Sequence, residues 1–591
     1  MEKTGNQKGA RERSKGNHVV VNTCAYYRHR AQYLWRRRLR SKAFSRFLLF
    51  SLTSCFLIPT LLTQSTMAST AIIYIRADGS IDPSNAPISR SGNTYTFIAD
   101  ADNVTIEVQA DNIIVDGNGH RLRNSDLSLN NGISSMFRLN DTIMNLIIQG
   151  YTNGICFFRC SRCDIIGTNE THCGYGVSVQ DSEDVFISSN VMTGCETGLS
   201  LYESNSNLLV NNEVSNSSTG IDLTFSHGNT LRNNRMIGNQ YNFNLIALGH
   251  YAPMGMYIND VDSSNVVDGK PIYYVVSRPS EIVPSDVGCI VIVNSTGMTI
   301  QDLKLRNNGC EVILAFTSNS IVENVSATTS LTGILLDRCD QTIAKHNNVS
   351  YDFYAGITTY EARYAIITQN TVDHTSHGCG IWIEDSNFVS VRNNVVTYTS
   401  AGGGQEFDGC GVLIDDSCDC NVTKNTITHN LIGITFGAPD AQRNCIAGNT
   451  IMVNDVGFII CGQSNIICHN NVVANNISAE RKWFTCSNNF DLGVYGGNYW
   501  SDYSGIDHNH DGIGDTLYPI DSLNIDHYPL MSMWREWDVN CDGRINVLDL
   551  IKIANSLGQH PGSSQWNPNA DANEDSTVNV LDLILISTHM D

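Results

Sequence analysis

Positive charge is scarce in this chain. Its 591 residues hold 37 Lys and Arg against 59 Asp and Glu, a formal net charge of −22. Thirteen of the basic residues crowd into residues 1–46 beside only two Glu, so the remainder stands at −33. Such an acidic body lacks the electrostatic footprint of a nucleic-acid binder and suits cations instead. Long apolar runs are lacking too. The stretch 47–62 is broken by Ser51, Thr53, Ser54 and Pro59, whereas a membrane-spanning helix wants about 20 apolar residues. There is no Met-rich tract, and His374, His377, His429 and His469 are not at metal-ligand spacing, which argues against copper. Cys160 and Cys163 form a lone C-x-x-C without a second pair, which argues against structural zinc.

The basic start, the apolar stretch and the small residues Ser65, Ala68 and Ser69 follow the order of a secretory signal. Residues 1–66 are therefore read as a basic leader with a cleaved signal or, in the alternative, an uncleaved membrane anchor. The 19 cysteines are abundant, and several fall inside the repeat at similar phases, such as Cys156, Cys289, Cys461 and the run Cys410, Cys418 and Cys420. They read as small apolar side chains of an interior, with disulfides between coils open to an exported protein.

What is present is a repeat. Gly154, Gly176, Gly198 and Gly220 each open a Gly-apolar-polar-apolar phrase, 22 residues apart. Asn190, Asn212 and Asn234 keep the same step. The alternation is that of a strand, and a fixed period of about 22 without helical segments predicts a solenoid of stacked β coils. One coil cannot bury its apolar side chains alone; piled at about 4.8 Å, successive coils pair every strand and close an interior. Glycine suits a corner where a side chain clashes or φ is positive. Asparagine tolerates left-handed backbone and can bond its twin in the next coil.

These signals divide the chain. Residues 67–490 are the predicted solenoid, with a cap over 71–145 and an excursion over 246–287 that contains Asn265-Val-Val-Asp-Gly-Lys-Pro-Ile-Tyr-Tyr. The phase resumes at Gly288, Gly333, Gly356, Gly380, Gly411, Gly433 and Gly457, with an extra loop after Gly380. Residues 491–533 close the stack and place Asp507, Asn509, Asp511 and Asp515 around Gly512, as a calcium loop does. Residues 534–591 differ again. Asp538-Val-Asn-Cys-Asp-Gly-Arg-Ile-Asn-Val-Leu-Asp549 sets Asp538, Asn540, Asp542, Arg544, Asn546 and Asp549 at calcium-loop positions 1, 3, 5, 7, 9 and 12. A helical pattern follows, and the unit recurs with Asp571, Asn573, Asp575, Thr577, Asn579 and Asp582.

The repeats, the Gly-Lys-Pro-Ile-Tyr-Tyr phrase and the Gly-Gly-Asn-Tyr-Trp-Ser-Asp-Tyr ending resemble the NosD-like, CASH-type right-handed parallel β-helix proteins over residues 71–530. That resemblance implies extracellular carbohydrate binding or processing, and in its namesake branch periplasmic copper delivery. The duplicated loop–helix unit closes on Asp rather than Glu and is similar to a type I dockerin, with Ser576 where Gly is usual. The dockerin resemblance implies Ca2+, a cohesin-type partner, and partner-selecting positions at Val547, Leu548, Val580 and Leu581.

Acidic residues follow the Gly phrases: Asp181 and Glu203, then Asp337, Glu361, Glu384, Asp385, Asp415 and Asp416. Stacking in register turns them into a column, and paired carboxylates are what glycoside hydrolysis needs. Tyr360, Trp382 and Phe407 lie in the same coils and could stack on sugar rings, as could Tyr354 and Tyr364. The competing account is that these acids cap turns by accepting from backbone N–H groups. The expectation is an all-β right-handed parallel β-helix with a small α-helical dockerin, exported and polysaccharide-binding, with the acidic column as candidate catalytic site. The alternatives are a non-enzymatic surface or adhesion protein and a periplasmic copper-delivery protein.

Overall fold

The computed structural model describes residues 71–125, 130–247, 252–402, 408–482 and 485–591. The leader, residues 1–66, and Phe407 lie outside the described residues. Residues Thr66–Asp591 form one compact unit.

Each coil is one long strand followed by two short ones. Tyr175–Gln180, Phe186–Ser188 and Val191–Thr193 make one coil, and Thr197–Tyr202 begins the next. The long strands pair in parallel with no slip: Ile155, Val177, Leu199, Ile221 and Phe243 are successive partners. All five point inward and are buried. Burying each such side chain contributes roughly 1.5–3 kcal/mol, and only the neighbouring coil makes that burial available.

The glycine column is where the coils approach most closely. A Cβ on Gly154 or Gly176 would stand 2.5 or 2.6 Å from the carbonyl oxygen of the next glycine in the column. The same holds in the second half, where Cβ atoms on Gly333, Gly356, Gly380, Gly411 and Gly433 would meet the next glycine oxygen at 2.5–2.8 Å. None of these glycines has a left-handed backbone. Space selects glycine here, not φ.

Left-handed corners are taken by other residues, and asparagine has two separate roles on adjacent positions. Ser189, Asn211 and Asn233 hold φ near 54–59° at the corner. The following Asn190, Asn212 and Asn234 point inward and form a buried ladder, each Nδ2 donating to the next Oδ1 at 2.9–3.0 Å and ending on Asn265. A second ladder runs Asn347, Asn370, Asn394, Asn425, Asn449, Asn470, Asn498 with every rung at 2.9 Å. The rungs satisfy amides that would otherwise be orphaned inside the stack.

Residues 246–287 do not leave the stack entirely. Asp260–Val261 and Val266–Val267 extend two sheets of the first half. Lys270–Val276 then turns back antiparallel to Val266–Val267 and pairs in parallel with Cys289–Val293. The reversed strand changes the phase: the sheet that carried short strands in the first half is continued by the long strands of the second.

Of the 17 described cysteines, all are buried except Cys418 and Cys445, which are half-buried. Beyond the last coils lie two helices, α1 (Val547–Ser556) and α2 (Val580–Ser587). Each opens on the same capping box, Asn546 with Asp549 and Asn579 with Asp582. They pack over a small core of Val539, Ile545, Ile553, Ala570, Val578 and Ile586.

Candidate functional site

The acidic column divides into two rows. Asp337, Tyr360, Glu384 and Asp415 end successive long strands and are register partners across three coil boundaries. Alternation fixes their direction. Ile334 and Leu336, or Ile381 and Ile383, fill the interior, so Asp337 and Glu384 stand on the outer face of the sheet. That face is nevertheless covered, and all four residues are buried. The next residues, Arg338, Glu361, Asp385 and Asp416, form the second row, each left-handed with φ between 44 and 50°. Glu361 N–H donates to Glu384 O and Asp385 N–H to Asp415 O, both at 3.1 Å, so the corner is pinned coil to coil.

Burial sets the electrostatics. Asp337 is pushed up to about 7, chiefly by desolvation, against the opposing pull of Arg338 and a hydrogen bond from Tyr257. Tyr257 Oη donates to Asp337 Oδ2 at 2.6 Å. Arg338 donates through Nε to Glu361 Oε2 at 2.7 Å and contacts Asp337 Oδ1 at 3.2 Å. Glu384 is raised well above the ordinary range, first by desolvation and then by the charges of Asp415, Asp385 and Asp416. Its Oε1 is buried with no hydrogen-bond partner among the described residues. A carboxyl kept protonated among carboxylates can donate a proton at neutral pH, as a general acid must.

The candidate stacking residues are placed less simply. Tyr360 is buried in the first row with the Arg338 guanidinium 5.4 Å from its ring centre. Trp382 is half-buried two residues before Glu384. The exposed rings are elsewhere. Tyr364 and Phe388, three residues beyond Glu361 and Asp385, stack on each other at 5.0 Å and 8°. A second exposed stack runs Tyr351, His374, Tyr398, His429 at 5.0 Å per step. Phe388 and this second stack escaped the sequence reading; their signal is a ring at the same coil phase in successive coils. The first half carries a parallel column. Phe137, Arg159, Asp181 and Glu203 are left-handed corners like Phe316, Arg338, Glu361 and Asp385. Arg159 pairs with Asp181 at 3.1 Å and lies over Phe137, as Arg338 pairs with Glu361 and lies over Phe316.

The C-terminal loops share one wiring. In the first, Asp538 Oδ2 accepts from Gly543 N–H at 2.8 Å, Asn540 Nδ2 donates to Asp542 Oδ2 at 2.9 Å, and Asp542 Oδ1 accepts from Arg544 N–H at 3.0 Å. Asp549 reaches back to accept from Asn540 and Asn546 N–H. The second repeats this with Asp571, Asn573, Asp575, Ser576, Thr577, Asn579 and Asp582. The cap loop shows the same pattern over Asp507, Asn509, Asp511 and Gly512, with Asp515 accepting from His508 N–H. Position 6 is left-handed in all three, as Gly512, Gly543 and Ser576.

These residues fit a hard divalent cation. Asp538 is buried, its Oδ1 has no hydrogen-bond partner among the described residues, and it is pushed up to about 7 by desolvation and by Asp549 and Asp542. A bound cation would relieve that penalty and the mutual repulsion. Among the described residues no three His, Cys, Asp or Glu groups are gathered as a ready metal site; the loop set draws on amide and backbone oxygens as well. At positions 10 and 11 of the two C-terminal loops, Val547, Leu548, Val580 and Leu581 are each at least half exposed, an unusual state for four large apolar residues.

Three family models match the chain. The model described as periplasmic copper-binding protein (NosD) matches residues 104–245 and 375–505. The right handed beta helix region model matches 288–438. The dockerin type I domain model matches 536–590. No curated protein matches. Among solved structures, the periplasmic alginate epimerase AlgG is similar at 12% identity and a TM-score of 0.21, over 64% of this chain and 79% of that one. The Agl-KA catalytic domain is similar at 11% and 0.28, over 65% and 62%. DFA-IIIase from Arthrobacter chlorophenolicus A6 is similar at 10% and 0.25, over 55% and 77%. At such TM-scores none of the three bears on the chemistry of this site.

Proposed function

Because the chain is a NosD-like right-handed β-helix protein with a C-terminal type I dockerin domain, we propose that it is an exported, polysaccharide-binding component of an extracellular or cell-surface assembly. The dockerin attaches it, in the presence of Ca2+, to a cohesin-type partner. The solenoid supplies the carbohydrate function, with Asp385 or Asp416 of the partly exposed corner row as the base or nucleophile and Glu384, buried beside them, as the general acid. One observation carries this reading: a buried Glu384 in register with Asp415 and flanked by the corner carboxylates Glu361, Asp385 and Asp416 of adjacent coils.

Calcium, when bound, supplies a positive centre that organises each loop. Asp538, Asn540, Asp542, Asn546 and Asp549, with the backbone carbonyl of Arg544, would hold one ion. Asp571, Asn573, Asp575, Asn579 and Asp582, with that of Thr577, would hold the second, and Asp507, Asn509, Asp511 and Asp515 a third. The partner-facing side is that of Val547, Leu548, Val580 and Leu581.

The test is release of reducing ends from a panel of polysaccharides by the full chain. Wild type should release them, while Glu384→Gln and Asp415→Asn should lower the rate at least 100-fold with binding retained. Binding with unchanged polymer length in wild type would leave a surface-binding or adhesion protein. The description of the matched NosD family as periplasmic copper-binding favours copper delivery as a second reading; stoichiometric Cu+ uptake by the solenoid would support it.

A further inference from the structure

We propose that calcium binding by the dockerin loops and seating of the dockerin on the side of the solenoid are one linked equilibrium. This rests on the calcium reading above and goes beyond it by assigning the solenoid as the dockerin's own support.

The two loops meet the solenoid through equivalent residues. Position 4 is Cys541 in the first loop and Glu574 in the second, both left-handed, with φ of 61 and 59°. Cys541 Sγ lies 3.6 Å from Tyr495 O, and a Cβ on Gly496 would be 3.4 Å from the same sulfur. Glu574 Oε1 accepts from Lys424 Nζ at 2.6 Å. Lys424 sits on a left-handed corner after the strand Asn421–Thr423 and also donates to Glu536 Oε1 at 2.7 Å, just before the first loop begins.

The entry segment is fastened as firmly. Trp534 N–H donates to Asn471 Oδ1 at 2.7 Å, and Asn471 Nδ2 donates to Trp534 O at 3.0 Å. The indole lies parallel to the His469 ring at 5.5 Å and 8°, and closes on Gly448, where a Cβ would stand 2.9 Å from it. Between the loops, Asn569 Nδ2 donates to Tyr495 O at 3.0 Å.

These contacts fall on the loop tips, whose left-handed backbone accompanies the convergence of positions 1, 3, 5 and 12. A tip held in place pays less ordering entropy when the cation arrives, and linkage then requires the cation to strengthen the seat by the same factor. The contacts are made by Trp534, Glu536, Cys541, Asn569 and Glu574. The apolar faces at Val547, Leu548 and Ile551, and at Val580, Leu581 and Ile584, remain exposed, so the seat leaves them open to a partner.

The test is calcium titration of the full chain by calorimetry, comparing wild type with Lys424→Ala and Asn471→Ala. Loss of a cation beside the second loop would by itself tighten calcium binding, since like charge is removed. The linked equilibrium predicts the opposite sign: about 5- to 10-fold weaker apparent affinity for Lys424→Ala, and weakening for the charge-neutral Asn471→Ala. Small-angle scattering of wild type should show a larger maximum dimension in chelator than in calcium. Unchanged or tighter calcium binding in both variants overturns the linkage and leaves the calcium reading intact. Absence of calcium uptake by wild type overturns both.

Discussion

Glu384 and Asp415 are register partners across a single coil boundary, side by side at the ends of parallel strands, and both are buried. Two carboxyls in that relation cannot both ionise cheaply, and their neighbours Asp385 and Asp416 add to the repulsion. The pair is the chemical centre of the candidate site.

Stability should fall as pH rises. Glu170 and Glu311, both inside the coils, are pushed up to about 8 by burial, and Asp141 and Asp337 to about 7. Their folded pKa values lie above the unfolded ones, so the native state binds more protons between about pH 4 and 8. Their contribution is full below the unfolded values and is lost through the folded ones. Thermal melts should show Tm dropping between pH 5 and 8.5. Glu170→Gln should flatten the dependence, by at most about 1.4 kcal/mol per pH unit in that window. A wild-type Tm that rises with pH would contradict this.

The asparagine ladder should be costly to interrupt. Asn394 donates to Asn425 Oδ1, Ile367 O and Arg392 O, and accepts from Asn370. Asn394→Ala leaves buried groups on both sides unpaired, and about 2–4 kcal/mol of destabilisation is expected in denaturant unfolding. The exposed corner residue Asn393 should tolerate Gly with little loss.

Ser576→Gly should improve the second calcium loop. Ser576 holds φ of 68° where the other loops have Gly. Relief of a left-handed non-glycine residue is worth about 1 kcal/mol, which corresponds to roughly fivefold in affinity if it is expressed wholly in binding. Competition with a fluorescent chelator measures it.

Val580→Asp with Leu581→Asp should abolish half of the proposed partner surface. Both side chains are more than half exposed and neither belongs to the small helical core. Calcium-induced helicity should be unchanged while affinity for a cohesin-type module falls, most clearly when Val547 and Leu548 are changed as well.

Much of the architecture was legible because a solenoid repeats its constraints. Gly154, Gly176, Gly198 and Gly220 declared the period, and Asn190, Asn212 and Asn234 declared its polar rungs. Spacing also placed Asp337, Glu384 and Asp415 in one row. It did not reveal that the row is covered, because cover comes from elements distant in sequence, such as Tyr257 against Asp337. The phase change near Lys270–Val276 was hidden for a similar reason: one reversed strand reads like any other alternating run. The seat of the dockerin was illegible because Lys424 and Glu574 are 150 residues apart and each is unremarkable alone.

A glycan array probed with the full chain, paired with chain-length analysis of every glycan retained, separates a solenoid that cleaves polysaccharide from one that only binds it. Wild type and Glu384→Gln should retain the same polysaccharides, and only wild type should shorten them. Retention of none, or retention with identical chain lengths for both proteins, would contradict this.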